Sequence, residues 1–264
     1  MSAFFADRHP GDIGLAVFLN AGDPPLDQLE DLVLQLDACR VDCLELAVPF
    51  PDSVSDGPVI RRSARRALEG GIDLDATLAF VASVRPRLSH LKIALLADWS
   101  HTARALPPRE FVGRVQSAGA DALLLHGLPP RLRQGYYETA HLLGQPIVST
   151  CYATSADAVL DEAGRHGSAY LYLAAHYGKT GAGPADYGAL APVITALRRR
   201  TEIPIAVGFG VRDRSHLAAL RDVGADAAIV GSTWVAHIER AVLEHRDLLQ
   251  DVRVLLADLD RPGP

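Results

Sequence analysis

The chain has 264 residues, of which 48% are hydrophobic and 22% are charged. This composition supports a packed core and excludes an intrinsically disordered chain. The formal net charge of −6 is opposite in sign to the basic surface that nucleic-acid-binding domains carry. A length near 250 residues leaves open two small domains or one α/β barrel.

Membrane, secretory and metal-binding classes are not expected from the sequence. No apolar run approaches the roughly 18 residues that a membrane-spanning helix needs. Asp7 stands where a signal peptide requires an apolar stretch, so the sequence predicts a cytoplasmic protein. Cys39, Cys43 and Cys151 fit no zinc spacing and are expected to be reduced and buried. The sequence predicts neither a metal site nor a cofactor, because no His/Cys/Asp cluster has metal-ligand spacing.

Eight short apolar runs alternate with segments of helical periodicity. In chain order, strands are predicted at 14–19, 42–48, 90–97, 121–126, 146–151, 169–175, 203–208 and 226–231. The last helix is predicted from about 234 to 259. This alternation favours parallel strands with crossover helices, and eight repeats are the count of a (β/α)8 barrel.

A single barrel domain over residues 1–264 is predicted, because no composition shift or Gly/Ser linker divides the chain. The segments 118–122 and 223–227 echo each other, each with a glycine after a helix and an aspartate at a strand start. In such barrels the chemistry lies at the C-terminal ends of the strands, which is where candidate residues are sought.

Glu45 is the first candidate. In the second strand, Leu44 and Leu46 are expected to face the helices, which turns Glu45 into the barrel lumen. Burying a carboxylate there is costly unless it is paired or protonated. Glu45 is therefore either an ion-paired core residue or a general acid with a raised pKa.

The loop after this strand contains Asp56, and a helix is predicted to begin at Pro58 or Val59. Asp56 is either the N-cap of that helix or a catalytic carboxylate that faces Glu45 across a pocket. Tyr172, in the sixth strand, is predicted to point into the lumen at the same level.

Glycines follow strands six, seven and eight, at 178–183, at 208–210 and at Gly231–Ser232. They are either ordinary turns or a phosphate site, since backbone amides and a helix N-terminus bind anions. Strands seven and eight are where barrels commonly bind phosphate. The residues thus indicate a barrel enzyme that uses one or two carboxylates on a phosphorylated, partly apolar substrate.

The segments 44–50 and 56–60 resemble the signature of the tryptophan synthase α subunit family. The segment 18–24 resembles the end of the family's first strand. The segments 180–182, 208–210 and 230–232 are similar to later family motifs, in order and at compatible spacing. The resemblance covers about residues 12–240.

The resemblance implies retro-aldol cleavage of indole-3-glycerol phosphate into indole and glyceraldehyde 3-phosphate. Glu45 would then protonate indole C3, Asp56 would hold the indole N–H, and Tyr172 would be the active-site tyrosine. The phosphate would be bound by Gly181, Gly210, Gly231 and Ser232. The indole pocket would be lined by Phe18, Ile60 and Phe209.

The chain departs from the family pattern in the loops after strands two, three and four. Asp98 and His101 stand in an altered loop after strand three, and Gly127 replaces an expected aspartate after strand four. We therefore expect a lyase of the family type with weakened coupling to a tryptophan synthase β subunit, including the case of a free-standing enzyme in specialised metabolism. The alternatives are a retuned aldolase-type lyase on a related phosphorylated substrate and a low-activity allosteric partner subunit.

Overall fold

A computed structural model describes residues 4–6, 12–174, 187–208 and 210–259. Its eight parallel strands form one sheet in the order β4-β3-β2-β1-β8-β7-β6-β5. An isolated parallel bridge between Leu123 and Ile147 joins the two end strands and closes the barrel. The strands are β1 (Gly14–Asn20), β2 (Cys43–Ala47), β3 (Lys92–Asp98), β4 (Ala122–His126), β5 (Ser149–Tyr152), β6 (Leu171–Ala174), β7 (Ile205–Gly208) and β8 (Ala227–Val230).

Helices connect the strands on the outside of the barrel. They are α1 (Leu26–Ala38), α2 (Pro58–Glu69), α3 (Leu74–Val84), α4 (Pro108–Ser117), α5 (Pro130–Leu143), α6 (Asp157–His166), α7 (Ala191–Arg198), α8 (Arg214–Asp222), α9 (Ser232–Leu243) and α10 (Leu248–Asp258). Two helices, α2 and α3, follow β2, and two more follow β8. Among the described residues, no helix has the length and apolar character needed to cross a membrane.

The predicted (β/α)8 barrel is confirmed, but the single last helix predicted from about 234 to 259 is wrong. His245 adopts a left-handed backbone conformation with φ 52°, which ends α9. The Asp247 carboxylate then accepts a hydrogen bond from the Gln250 amide and caps α10. The break therefore comes from local backbone chemistry within a continuous apolar pattern.

The fifth strand is shorter than predicted, since β5 begins at Ser149 and the prediction began at 146. Pro146 has no amide hydrogen and contributes only its carbonyl, which accepts a hydrogen bond from the Leu123 amide at 2.9 Å. The Val148 amide donates to the Leu123 carbonyl at 3.0 Å. The seam between β4 and β5 thus has far fewer ladder bonds than the other strand pairs.

Strand alternation creates two apolar cores. Leu44 and Leu46 face the helices, as predicted, and belong to the larger core between sheet and helices. Cys43 and Tyr170 face the lumen, where Phe4 and Phe5 pack against the Tyr170 ring with centroid distances of 5.4 Å. All three cysteines are free and buried, in agreement with the prediction.

The repeated glycine-to-aspartate pattern has a structural explanation. Asp42, Asp121 and Asp226 each precede a strand, and each carboxylate accepts a hydrogen bond from an amide of the neighbouring strand. The three donor–acceptor distances are 2.8, 2.8 and 2.7 Å. These aspartates fix the strand register at the N-terminal end of the barrel, away from the C-terminal ends where the chemistry is expected.

Candidate active site

Glu45 lies in the lumen, as predicted, with 2% of its surface exposed. None of the ion pairs among the described residues includes it, so its carboxyl is not held by a cation there. Burial raises the pKa of Glu45 to about 7, although the hydrogen bond that it accepts from Tyr170 favours the ionised form. A carboxyl with this pKa can deliver a proton near neutral pH.

Tyr170 is a site residue that was not predicted from the sequence. Its hydroxyl donates to Glu45 Oε1 at 2.6 Å, across 125 positions of sequence. Burial raises the pKa of Tyr170, and that of Tyr172, well above the usual tyrosine value, so both phenols stay protonated. The alternation that points Tyr172 inward also points Tyr170 inward, and this was the available signal.

Asp56 is in the loop between β2 and α2, directly before Gly57. Helix α2 begins at Pro58, its N-cap is Gly57, and no side chain caps it. The alternative that Asp56 is a helix N-cap is therefore wrong. The half-buried Asp56 side chain instead lines the same cavity as Glu45 and Tyr172.

This active-site cavity has a volume of about 150 Å³ and lies at the C-terminal ends of the strands. Eight of the predicted site residues line it, namely Phe18, Glu45, Asp56, Ile60, Tyr172, Gly210, Gly231 and Ser232. The other two, Gly181 and Phe209, lie outside the described residues. Leu96, Leu124 and Ile229 add apolar surface, as a flat aromatic substrate requires.

One end of the cavity has the features of an anion site. Helix α9 begins at Ser232, and its N-cap Gly231 has no side chain to occupy the free amides. Gly210 has a φ of 74°, a conformation that favours glycine. At Gly208 a Cβ atom would lie 2.1 Å from the Tyr172 hydroxyl, so only glycine lets Tyr172 pack there.

A second cavity of about 370 Å³, which we call the annex, adjoins the first. The two share five wall residues, Phe18, Ser55, Asp56, Leu96 and His126. The annex also reaches Asp52 in the loop after β2 and Arg61 and Arg65 on α2. The sequence did not predict the annex, because its walls come from four separate strands, β1 to β4, and from the loop and helix that follow β2.

Asp98 explains one departure from the family pattern. Its Oδ1 atom accepts hydrogen bonds from Ser100 Oγ at 2.6 Å and from His101 Nδ1 at 2.7 Å. Burial alone would raise the pKa of Asp98, but these hydrogen bonds lower it below the usual value. A Cβ atom at Gly127 would lie 3.2 Å from Asp98 Oδ2, so an aspartate there would face a second carboxylate. Asp98 thus already supplies a negative charge near position 127.

An ion-pair network joins the two helices that begin at the active-site cavity. Arg66 of α2 donates to Asp23 at 2.7 and 2.8 Å and to Glu239 of α9 at 2.6 Å. Arg62 contacts the same Glu239 at 2.7 Å. Hydrogen bonds from Arg62 and Arg66 lower the pKa of Glu239 to about 2. The network holds α2, which follows Asp56, against α9, which carries Ser232.

The fold and this cavity together define a class. The chain is a (β/α)8-barrel enzyme in which a buried, protonatable carboxyl and a second carboxyl face an apolar cavity with a helix N-terminus at one end. The comparisons with known proteins identify the family within that class. The family model described as tryptophan synthase alpha chain matches residues 4–261.

Named relatives agree with that match. The tryptophan synthase alpha chain of Burkholderia multivorans is 34% identical over 91% of this chain and 88% of its own length. That of Hydrogenovibrio crunogenus is 32% identical over 90% and 87%. The structure of a mutant tryptophan synthase alpha-subunit from Pyrococcus furiosus has a TM-score of 0.83 at 26% identity, covering 94% of this chain and 98% of that one. The chain belongs to the tryptophan synthase alpha chain family, and it is a carbon–carbon lyase of that type.

Proposed function

We propose that this lyase cleaves indole-3-glycerol phosphate to indole and glyceraldehyde 3-phosphate with Glu45 and Asp56 as its catalytic residues. One observation carries the assignment. Glu45, with a pKa of about 7, faces the same cavity as Asp56 and Tyr172. The same residues argue against the alternative of a low-activity allosteric partner subunit. Burying a carboxyl group costs free energy, and a subunit that only binds a partner does not need one.

The residue roles follow from the chemistry of the bond that breaks. Glu45 protonates indole C3, so that the ring becomes a leaving group. Asp56 accepts a hydrogen bond from the indole N–H and stabilises the positive charge that develops on the ring. Glu45, which is a carboxylate after protonating C3, accepts the proton of the hydroxyl group on the glycerol carbon that is bonded to the ring. The carbon–carbon bond breaks, its electron pair returns to the indole ring, and the aldehyde forms.

The other end of the substrate carries the phosphate. We assign it to the amides around Gly181, Gly210, Gly231 and Ser232, which bind an anion without a lysine. Phe18, Ile60 and Phe209 are assigned to the indole ring, and Tyr172 to the substrate's centre. The reaction needs no cofactor, because protonation and hydrogen bonding alone make indole a leaving group.

The cellular setting is also proposed. A structure of the tryptophan synthase complex from Pyrococcus furiosus has a chain that matches this one with a TM-score of 0.78 at 26% identity, covering 95% of this chain and 97% of that one. A tryptophan synthase β subunit is therefore the candidate partner, in tryptophan biosynthesis or in a related specialised pathway. We place the protein in the cytoplasm, where phosphorylated intermediates of such pathways are made.

The test is release of indole from indole-3-glycerol phosphate by the purified protein. Wild type should produce indole, and Glu45→Gln and Asp56→Asn should each lower kcat by about 10²–10⁴-fold. Glu69→Gln, at the exposed end of α2, is the matched control and should keep full activity. Full activity in both active-site variants would refute the roles, and no indole from wild type would refute the function.

A further inference from the structure

The active-site cavity and the annex meet beside Asp56, and two polar side chains stand at that junction. His126, at the end of β4, and Ser55 line both cavities. The His126 Nε2 atom is 3.5 Å from Ser55 Oγ, and Ser55 directly precedes Asp56 in the chain. The reaction proposed above uses neither His126 nor Ser55.

An unsubstituted indole ring gives these groups nothing to bind. Indole has one hydrogen-bonding group, its N–H, and the proposed function assigns that group to Asp56. The edge of the six-membered ring carries only C–H groups. When an imidazole loses its water to such an edge and gains no new hydrogen-bond partner, the desolvation costs free energy. The wall residues Phe18, Ile60 and Leu124 are suited to hydrocarbon, and His126 is not.

The place of His126 indicates which ring positions it faces. Because Ser55 adjoins Asp56 and His126 adjoins Ser55, the imidazole lies on the N–H side of the ring, nearest C7 and C6. The annex begins at the same place and supplies about 370 Å³ of space beyond the ring edge. Its outer wall carries Arg61 and Arg65, which the ion pairs among the described residues do not include. Arginine only donates hydrogen bonds, and the Asp52 carboxylate in the same cavity only accepts them. These walls therefore suit a hydroxyl group, which both donates and accepts, better than an ammonium group, which only donates.

We propose that the preferred substrate is an indole-3-glycerol phosphate with a hydroxyl group at C7 or C6 of the ring, bound by His126. This inference rests on the proposed cleavage reaction and names the substrate class within it. His126 is then a specificity-determining residue, and the annex is the space into which the substituent projects.

The test uses the reverse reaction, in which the enzyme condenses an indole with glyceraldehyde 3-phosphate. The probes are indole, 7-hydroxyindole and 6-hydroxyindole, with 7-methylindole and 6-methylindole as size-matched apolar analogues. Wild type should use at least one hydroxyindole with a kcat/KM about tenfold or more above that of its methyl analogue. 4-Hydroxyindole should show no such preference, because C4 is on the opposite side of the ring from the N–H.

Variants then assign the preference to His126. His126→Leu should lower the ratio of hydroxyindole to methylindole kcat/KM about tenfold, and His126→Gln, which keeps a donor, should restore part of it. His166→Ala, which removes a histidine that is stacked on Tyr137 and lines neither cavity, should keep the wild-type ratio.

The outcomes separate this inference from the proposed function. Condensation of indole without a preference for either hydroxyindole would overturn the inference and leave the function intact. A preference that survives in His126→Leu would overturn the role of His126. No reaction with any indole would overturn the proposed function and the inference with it.

Discussion

Glu45 and Tyr170 form a buried acid–phenol pair at the centre of the barrel. The strand pattern predicted that Glu45 points inward, because large aliphatic residues flank it on the other face. It could not predict the contact with Tyr170, which depends on the closure of the barrel between β2 and β6. The depth of burial, and with it the raised pKa, likewise depends on residues far away in sequence.

Tyr170→Phe is expected to shift the pH dependence of the reaction. The change removes the hydrogen bond that favours the Glu45 carboxylate and keeps a ring against Phe4 and Phe5. The pKa of Glu45 then rises above about 7, so its protonated form persists to higher pH. The alkaline limb of the kcat profile should move up by about one pH unit. The profile of Tyr137→Phe, which changes a half-buried tyrosine that lines neither cavity, should match wild type. An unmoved limb in Tyr170→Phe would contradict the pairing.

Glu45→Gln should change how stability depends on pH. The carboxyl ionises near 4.5 when unfolded and at about 7 when folded, so folding retains the proton between those values. Stability from this group is full below about 4.5 and is lost as the pH rises through about 7. The glutamine variant has no carboxyl to ionise. Its free energy of unfolding relative to wild type should therefore be about 2–3 kcal/mol higher at pH 8 than at pH 4.5. Urea unfolding of both proteins at both pH values measures this change. The same stability difference between variant and wild type at pH 4.5 and pH 8 would argue against a raised pKa of Glu45.

At the scale of elements, helices α2 and α9 position the two ends of the active site. The start of α2 was predicted from the sequence at Pro58 or Val59, and the helix begins at Pro58. The pairing of α2 with α9 could not be predicted from the sequence, because Arg66 and Glu239 are separated by 173 positions. The break between α9 and α10 was missed for a different reason. The break depends on the left-handed backbone conformation of His245 and on the N-cap Asp247, and hydrophobic periodicity predicts neither of them.

Glu239→Gln is expected to loosen this helix pair. The ion pairs with Arg62 and Arg66 stabilise the fold above pH 4.5, and this stability is lost as the pH falls through about 2. Because Arg62 is 46% exposed and screened by solvent, the cost at pH 7 is about 1 kcal/mol. Thermal unfolding at pH 7 and pH 3 should show a smaller difference from wild type at pH 3. Equal differences at both pH values would contradict the ion-pair origin. Glu69→Gln is the control, because the ion pairs among the described residues do not include Glu69.

At the scale of the whole molecule, the eightfold alternation correctly predicted the barrel. The cavity that Glu45, Asp56 and Tyr172 line is at the strand ends where the chemistry was expected. The alternation could not predict the annex, whose walls meet only after β1, β2, β3 and β4 lie side by side. The organisation of residues 1–264 as one domain stays a prediction.

Coupling to a β subunit is predicted to be weak. The loops after β2, β3 and β4 depart from the family pattern, and Asp98 stands close to the place of the missing aspartate at Gly127. Adding a tryptophan synthase β subunit from a relative should raise the rate of indole release less than about threefold. The measurement is indole formation with and without that subunit at saturating substrate. Activation by tenfold or more would show that the altered loops still transmit the signal.

The sparse bonding between β4 and β5 has a dynamic consequence. Glu45 and Asp56 lie on the β1–β4 side of this boundary, and Tyr172 and Ser232 lie on the β5–β8 side. The halves remain linked through β1 and β8, which pair over four residues. We therefore expect any transient separation to occur at the weak boundary, with the opposite β1–β8 pair as the hinge. Leu124 and Thr150 line the cavity from either side of the boundary, so a bound substrate spans it. Such a substrate would hold the two halves of the barrel together for as long as the reaction lasts.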